Sequence, residues 1–312
     1  MVSTKKSVYA ALIGNLLVAA TKTVAAVLTG SASMASEAVH SFVDSGNEVL
    51  LLYGMRRSAR PADTHHPLGY GRELYFWSFI VALLIFALGA AVSVYESIHH
   101  LREPVPIAKP VVSYVVLGLA FVFEGFSFAV ALKQFREAKG TLGYVEAVRR
   151  SKDPPSFMVL LEDAAAMLGI LIAFAATALA QAFDAPVFDA LGSLAIGGVL
   201  AAVALVLARE SKSLLIGERA DRALADALLA LAAAEPGVAH ANGVMTVHMA
   251  PDQVVVALSV EFERDLPATR IEEIVAGLEA RIGERHPEVT TLLMKPQPRE
   301  AYGAATWWSG LA

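Results

Sequence analysis

The sequence predicts an α-helical membrane protein with six transmembrane helices, followed by a small α+β domain. Of its 312 residues, 56% are hydrophobic and only 18% are charged, and the mean hydropathy is +0.54. A soluble domain of this length does not need so much apolar sequence, whereas a polytopic membrane protein does. The apolar residues also fall into separate long segments, and ordinary charged sequence resumes only from Arg209.

Six apolar segments are candidates to cross a bilayer. Each is close to the ~20 residues that a helix needs to cross ~30 Å of hydrocarbon. We therefore expect residues 1–208 to form the transmembrane domain. The predicted helices are residues 7–29, 33–55, 74–98, 111–134, 156–181 and 186–208.

The connections between these segments alternate in charge. Lys and Arg gather before the first segment, between the second and third, and between the fourth and fifth, whereas the turns after the first and fifth segments have neither. Short loops rich in Lys and Arg remain on the cytoplasmic side of a membrane, so both termini and the carboxyl-terminal domain are predicted to face the cytoplasm. The alanine-rich, cysteine-free composition favours a bacterial inner membrane. The lipid bilayer is thus an expected partner, and nucleic acid is not.

The second segment carries a stripe of polar residues. Glu37, His40 and Asp44 are spaced three and four apart, which places them on one face of a helix. Ionisable groups in hydrocarbon are costly unless they are paired, hydrated or bound to an ion, so the stripe indicates an ion or proton path. A His and an Asp at i and i+4 can contact one divalent cation. The alternative is a helix buried in a polar protein core. Beside the stripe lie Ser41, Asn47 and Glu48.

The fifth segment contains a second acidic pair. Glu162 and Asp163 lie about two turns into an otherwise apolar helix, at a depth comparable to that of His40 and Asp44. Adjacent helical residues point ~100° apart, so at most one of the two can aim straight at a shared centre. Small residues that follow, including Gly169, favour close helix packing and hence a buried position. The alternative places both carboxylates at the interface, solvated.

Three further ionisable residues lie within the predicted spans, and each allows two interpretations. Lys22 could pair with a carboxylate inside the bundle or extend its ammonium towards the interface. Glu124 could be a proton carrier or the partner of Lys22. Asp189, followed one turn later by Ser193, could begin the sixth helix or act as a gate.

The carboxyl-terminal part has the pattern of a small α+β domain over residues 209–298. Alternating strands and amphipathic helices follow one another in the order α-β-β-α-β, which suggests a sheet covered on one face by helices. The tail, residues 299–312 with Trp307 and Trp308, has no interpretable pattern. The predicted elements are a helix over 219–233, strands over 238–249 and 253–263, a helix over 267–285 and a strand over 289–295.

Several motifs in this order resemble the cation diffusion facilitator family. They are the Thr29-Gly30-Ser31 turn, His40-x-x-x-Asp44, the loop from Pro61 to Glu73 (PADTHHPLGYGRE), Asp163, and Asp189-x-x-x-Ser193. The resemblance implies a divalent-metal/proton antiporter with six membrane helices and a cytoplasmic ferredoxin-like domain, acting as a homodimer. It implies Zn²⁺ as the substrate ion, protons as the counter-ion and no organic cofactor.

The resemblance also implies a transport site. Family members take two ligands from the second helix and two from the fifth, each pair spaced by four. His40, Asp44 and Asp163 match this pattern, but the remaining position falls on Val159, which cannot bind metal. Glu162 looks like a substitute, and Glu37 is a candidate extra ligand. A His at the first position favours Zn²⁺ within the family, while Mn²⁺, Fe²⁺ and Co²⁺ stay open. The absence of cysteine agrees with these metals rather than copper(I).

Two further family metal sites are only partly represented. The loop site is matched by Asp63 and His66, but its last His position is Tyr70, and His65 could compensate. In the small domain, His240 stands where a metal ligand is expected. The small domain is therefore expected to serve dimerisation rather than metal sensing. Its other ligand positions fall on Ser259, Glu272, Met294 and Pro296.

Two other classes of protein compete with a transporter. One is a membrane metal sensor or scaffold that binds cations without moving them, although the loss of the small-domain ligands counts against it. The other is a membrane metalloenzyme. No His-Glu-x-x-His motif and no nucleophile with a neighbouring base is found, so an enzyme is not expected.

Overall fold

The computed structural model describes residues 2–304, with side chains from residue 15 onwards. The chain divides into two compact units. The first consists of Met1–Arg56 and Phe76–Lys212, and the second of Arg57–Tyr75 and Ser213–Ala312. The loop between the second and third membrane segments thus groups with the carboxyl-terminal unit, although the sequence analysis counted it in the transmembrane domain.

Long helices dominate the first unit. Every predicted segment corresponds to a helix, and most of these helices extend beyond the predicted bounds, because hydropathy marks only the part suited to hydrocarbon. The short helix α6 and a π-helical turn were not predicted. The helices are α1 (Val2–Thr29), α2 (Ala32–Ser58), α3 (Glu73–Leu84), the π turn (Ile85–Ala90), α4 (Ala91–Arg102), α5 (Pro110–Lys139), α6 (Tyr144–Arg150), α7 (Pro154–Ala182) and α8 (Val187–Ile216).

Four helical stretches are long and apolar enough to cross a membrane, so the protein is a multi-pass membrane protein. They are Glu73–Arg102, which joins α3, the π turn and α4, together with α5, α7 and α8. In α1 the apolar part among the residues with described side chains is Asn15–Thr29. The 27 residues of α2 give it a length of about 40 Å, but its polar stripe keeps it outside this apolar class. Six crossing helices therefore remain a prediction.

The helices of the first unit pack around a shared apolar core in which α7 is central. Phe157, Met158 and Ile170 of α7 are fully buried in it. α5 packs against α7 and α1, and its outer face exposes Phe121, Phe123 and other large apolar side chains. Such an apolar surface suits lipid rather than water.

Asp189, at the start of α8, binds the first turn of α2. Its Oδ2 accepts a hydrogen bond from the backbone N–H of Ala32 at 2.6 Å. Its Oδ1 accepts from the hydroxyl of Ser31 at 2.8 Å and from that of Ser33. A carboxylate beside the free N–H groups of a helix start is favourable. Asp189 therefore lies in the first turn of its own helix, as one of the two sequence interpretations predicted, and it also caps α2, which the sequence did not indicate.

The second unit contains the predicted α-β-β-α-β order. β1 and β2 pair antiparallel, β2 and β3 pair parallel, and the sheet order is β1-β2-β3. The first helix begins later than predicted because the Asp221 side chain caps it by accepting from Ala223 N. A short last helix was not predicted. The elements are α9 (Arg222–Ala233), β1 (Val238–Ala250), β2 (Gln253–Phe262), α10 (Ala268–Arg285), β3 (Val289–Pro296) and α11 (Arg299–Ala304).

Candidate functional site

The polar stripe of α2 lies inside the helix bundle. Glu37, His40 and Asn47 are buried, and Asp44 keeps 18% of its side chain exposed. Nδ1 of His40 lies 3.1 Å from Oδ1 of Asp44, as the i, i+4 spacing predicted, but outside hydrogen-bond geometry. The stripe therefore faces the inside of the bundle, an arrangement that the ion-path and the polar-core interpretations of α2 share.

A row of buried polar atoms along α2 has no hydrogen-bond partner among the described residues. Unpartnered buried polar atoms are rare in proteins, and each one calls for an explanation. The atoms of this row are oxygen and imidazole nitrogen atoms, which are the atom types that bind divalent cations. The row consists of Glu37 Oε1, both ring nitrogens of His40, Asp44 Oδ1, Asn47 Oδ1 and Glu48 Oε2.

The two acidic residues of α7 turn towards different neighbours. Oε1 of the buried Glu162 accepts a hydrogen bond from Asn47 of α2 at 3.3 Å. Oδ2 of Asp163 accepts one from Ser127 of α5 at 2.9 Å. This divergence follows from the ~100° between adjacent helical residues. Both carboxylates remain close enough to Asp44 to interact with it electrostatically.

The structure brings the predicted transport residues into one region but not around one point. Within the described part of the chain, no three His, Asp or Glu side chains are arranged to hold a metal ion. Instead, Glu162 and Asp163 each accept a hydrogen bond from a neutral donor. Val159, at the position of the missing fourth ligand, is partly exposed.

A buried ion-pair cluster lies beside this region. The ammonium of Lys22 lies 3.0 Å from Oε2 of Glu37 and 2.6 Å from Oε1 of Glu124. It also donates to the hydroxyl of Ser41 at 2.8 Å. Lys22 is thus paired inside the bundle rather than extended to the interface, and Glu124 is its partner. The sequence offered this pairing as one alternative, but did not include Glu37 in it.

A cavity of about 710 Å³ lies between α1, α2, α5 and α7. Asn15 and Glu48 line it, and Asn15 Nδ2 donates to Glu48 Oε1 at 3.0 Å. Glu124 and Ser127 line it from α5, and Val159 lines it from α7. Ser127, which lines the cavity, also donates the hydrogen bond to Asp163.

In the second unit, Asp63 organises the loop between α2 and α3. Its Oδ1 accepts from the backbone N–H groups of His65 at 2.9 Å and His66 at 2.7 Å. Its Oδ2 accepts from the hydroxyl of Tyr70 at 2.7 Å. These hydrogen bonds, led by the one from Tyr70, hold the pKa of Asp63 below its usual range. Tyr70 stands where the resemblance predicts a His ligand. It donates a hydrogen bond to the Asp63 carboxylate instead of binding a metal with it.

The histidines of the small domain lie apart from one another in the sheet and its loops. His240 of β1 is half-buried and pairs in register with Glu261 of β2. His248 Nδ1 lies 3.1 Å from the carbonyl oxygen of Ala250, and His286 Nδ1 lies 3.4 Å from a carboxylate oxygen of Glu288. Ser259, at one predicted ligand position, is buried and accepts a hydrogen bond from Asn242.

A multi-pass helical membrane protein with ionisable side chains inside its bundle has the architecture of an ion transporter. The family model of the cation efflux transmembrane domain matches residues 8–216. The chain therefore belongs to this family of transporters, the cation diffusion facilitators, as its motifs predicted.

Three relatives illustrate the similarity. The chain is 37% identical over 245 residues to the mitochondrial proton-coupled zinc antiporter SLC30A9 of Xenopus laevis, covering 78% of this chain and 44% of the relative. The Homo sapiens protein of that name is 34% identical over 245 residues, covering 78% and 43%. The cation-efflux pump FieF of Cronobacter sakazakii is 29% identical over 264 residues, covering 83% and 81%. The chain thus spans less than half the length of the zinc antiporters that it matches.

Proposed function

We propose that this protein exports Zn²⁺ in exchange for protons, by alternating access, as a homodimer. The observation that carries the proposal is the row of unpartnered acceptors on α2 within electrostatic reach of the α7 carboxylates. A row of this kind in a membrane helix suits a passing cation. The two relatives named as proton-coupled zinc antiporters support the choice of ion and counter-ion.

The proposed ligands of the transported ion are His40, Asp44, Asp163 and Glu162. Imidazole and carboxylate groups together suit Zn²⁺, and four ligands complete its usual shell. Glu162 takes the place that Val159 leaves open. Because the same set can bind Mn²⁺, Fe²⁺ or Co²⁺, the preference among these metals is part of the test.

Charge balance explains how such a site can exchange a metal for protons. Ionised Asp44 and Asp163, with a neutral His40, offset the two charges of the cation. After the metal ion is released, protons bind to His40 and to one carboxylate. They neutralise the empty site, and the transporter can then return to the conformation that binds the next ion. Imidazole is suited to this because it titrates near neutral pH, and metal affinity falls as pH falls because the ligands must lose protons to bind.

We further propose that six helices cross a bacterial inner membrane, with both termini and the second unit in the cytoplasm. The positive loops support this orientation. The second unit would then form the dimer contact, as the resemblance to the family implies. No enzymatic activity is proposed.

Flux in proteoliposomes tests the proposal. We expect saturable Zn²⁺ uptake driven by a pH gradient, with proton flux in the opposite direction, and a ranking among Zn²⁺, Mn²⁺, Fe²⁺ and Co²⁺. Asp44→Ala and Asp163→Ala should each lower uptake at least ~100-fold, since each removes a charge that balances the cation. Both variants should elute as folded dimers.

A matched control is Glu96→Gln in α4, whose carboxylate lies 3.8 Å from Nε2 of His100 and is not among the proposed ligands. It should transport at the wild-type rate. Retained transport in the Asp163→Ala variant would refute the ligand assignment. Binding of Zn²⁺ by the wild type without flux would instead support a metal sensor.

A further inference from the structure

The ammonium of Lys22 is surrounded by oxygen atoms, as a bound metal cation would be. The side chain is fully buried, and its three N–H donors meet an oxygen each from Glu37, Ser41 and Glu124. The distances are 3.0, 2.8 and 2.6 Å. Two of these oxygen atoms come from α2 and one from α5, so the position is built from two helices and filled by a third.

The cluster has more negative than positive charge. One ammonium faces two carboxylates, of which Glu37 is fully buried and Glu124 keeps 17% of its side chain exposed. Removing one member of a buried ion pair leaves an uncompensated charge that is strongly unfavourable. Without the ammonium, these carboxylates would therefore take up another cation or protons.

The cluster also borders the cavity between α1, α2, α5 and α7. Glu124 lines the cavity of about 710 Å³, and so does Ser127, which donates a hydrogen bond to Asp163. A cation in this cavity would meet the Glu124 carboxylate and the hydroxyl of Ser127, the hydrogen-bond donor to Asp163. The ammonium of Lys22 already pairs with the Glu124 carboxylate.

We propose that Lys22 is a built-in cation that fills a second cation-binding position, formed by Glu37, Ser41 and Glu124, and thereby keeps these groups from capturing the transported ion. The position offers oxygen ligands only, so it would take a hard cation such as Mn²⁺. Glu37 is then excluded as an extra ligand of the transport site. The proposal rests on the proposed function only for the identity of the transported ion.

A purely structural lysine, one that only joins α1, α2 and α5, makes a different prediction. Its removal would lower stability without creating a new cation site. The number of ions bound per chain separates the two roles, because a structural role does not change it.

The test is Mn²⁺ binding to the full-length protein in lipid nanodiscs, read by the loss of the free-ion signal in electron paramagnetic resonance. Lys22→Ala should bind one more Mn²⁺ per chain than the wild type. Lys22→Arg, which keeps the cation, should show no gain. Lys22→Ala with Glu124→Gln should lose the gain, because it restores the charge of the cluster.

If Lys22→Ala fails to fold, Lys22→Gln removes the charge with a side chain of similar length, and the same gain is expected. An unchanged number of bound Mn²⁺ ions in a folded charge-removing variant would overturn the proposal. A different result would contradict the proposed function: a wild-type protein that binds no divalent ion at Asp163, or that transports none. The comparison between Lys22→Ala and the wild type is unaffected by that result.

Discussion

At the scale of single residues, the contact between Tyr70 and Asp63 replaces a metal ligand with a hydrogen bond. Asp63 uses one oxygen for two backbone N–H groups and the other for the Tyr70 hydroxyl. Because its pKa in the folded protein is lowered, the ionised form stabilises the loop at pH values above the unfolded pKa. This stabilisation is lost as pH falls through the folded pKa. At neutral pH the carboxylate therefore stays ionised and fully engaged by the loop.

Tyr70→Phe should raise the pKa of Asp63 towards its usual value, since the hydrogen bond from Tyr70 is the largest cause of the shift. The measurement is a carbon NMR titration of the full-length protein in detergent, with aspartate carboxyl groups labelled. Tyr95→Phe, at an exposed tyrosine of α4, is the control and should leave the titration of Asp63 unchanged. An Asp63 pKa that is the same in wild type and Tyr70→Phe would contradict the role given to Tyr70.

The local sequence pattern indicates the residues of the α2 stripe better than the side chains that they contact. The i, i+4 spacing was enough to predict the approach of His40 and Asp44, because both lie on one helix. The pairing of Lys22 with Glu124 links residues 102 apart in the chain. Which carboxylates a buried lysine meets depends on how three helices are rotated, and that information is not in the local pattern.

At the scale of secondary-structure elements, α7 approaches α2 closely at Gly169. A Cβ atom there would overlap with Oε1 of Glu37. The Glu37 side chain is fully buried and its other oxygen, Oε2, pairs with Lys22, so a shift of this side chain would disturb the ion pair. The absence of a side chain at Gly169 thus keeps α7 against the ion-pair cluster.

Gly169→Ala should lower the free energy of unfolding by about 1–3 kcal/mol, the usual range for an overpacked interior. Gly198→Ala in α8 is the matched control, because a Cβ atom there meets nothing within 4 Å. It should be neutral or stabilise slightly, since Ala is the better helix former. Denaturant unfolding in detergent measures both variants. Equal stability in the two would show that α7 and α2 are not in close contact at this point.

Hydropathy located the long helices but not their details. It cannot indicate the π turn at Ile85–Ala90, whose residues are as apolar as the α-helical residues around it. It also missed α6, which is short and carries charged residues. In the second unit, alternation predicted all three strands, whereas the parallel pairing of β2 with β3 depends on the path of α10 between them.

At the scale of the whole molecule, the proposed orientation in the membrane rests on the distribution of Lys and Arg among the loops. The chain contains no cysteine, so single introduced cysteines report accessibility without a background. Thr141→Cys, between α5 and α6, and Arg285→Cys, in the second unit, should be labelled from the cytoplasmic side by an impermeant maleimide. Glu103→Cys, after α4, should be labelled only from the opposite side.

Right-side-out and inside-out vesicles provide the two sides for this measurement. All three positions have exposed side chains, so a failure to react reports on the membrane rather than on burial in the protein. The unmodified protein should give no signal in either preparation. Labelling of the Glu103 and Thr141 positions from one side would rule out the proposed arrangement of the spans between them.

The cap that Asp189 provides for α2 has a consequence for biosynthesis. The carboxylate and the N–H group that it binds are 157 residues apart in the chain. At a synthesis rate of ~5–20 residues per second, the start of α2 is made on the order of ten seconds before Asp189. The least apolar of the long helices is therefore made early and receives this cap late. The hydrogen bonds between Asp189 and the first turn of α2 form only after the start of α8 has been made.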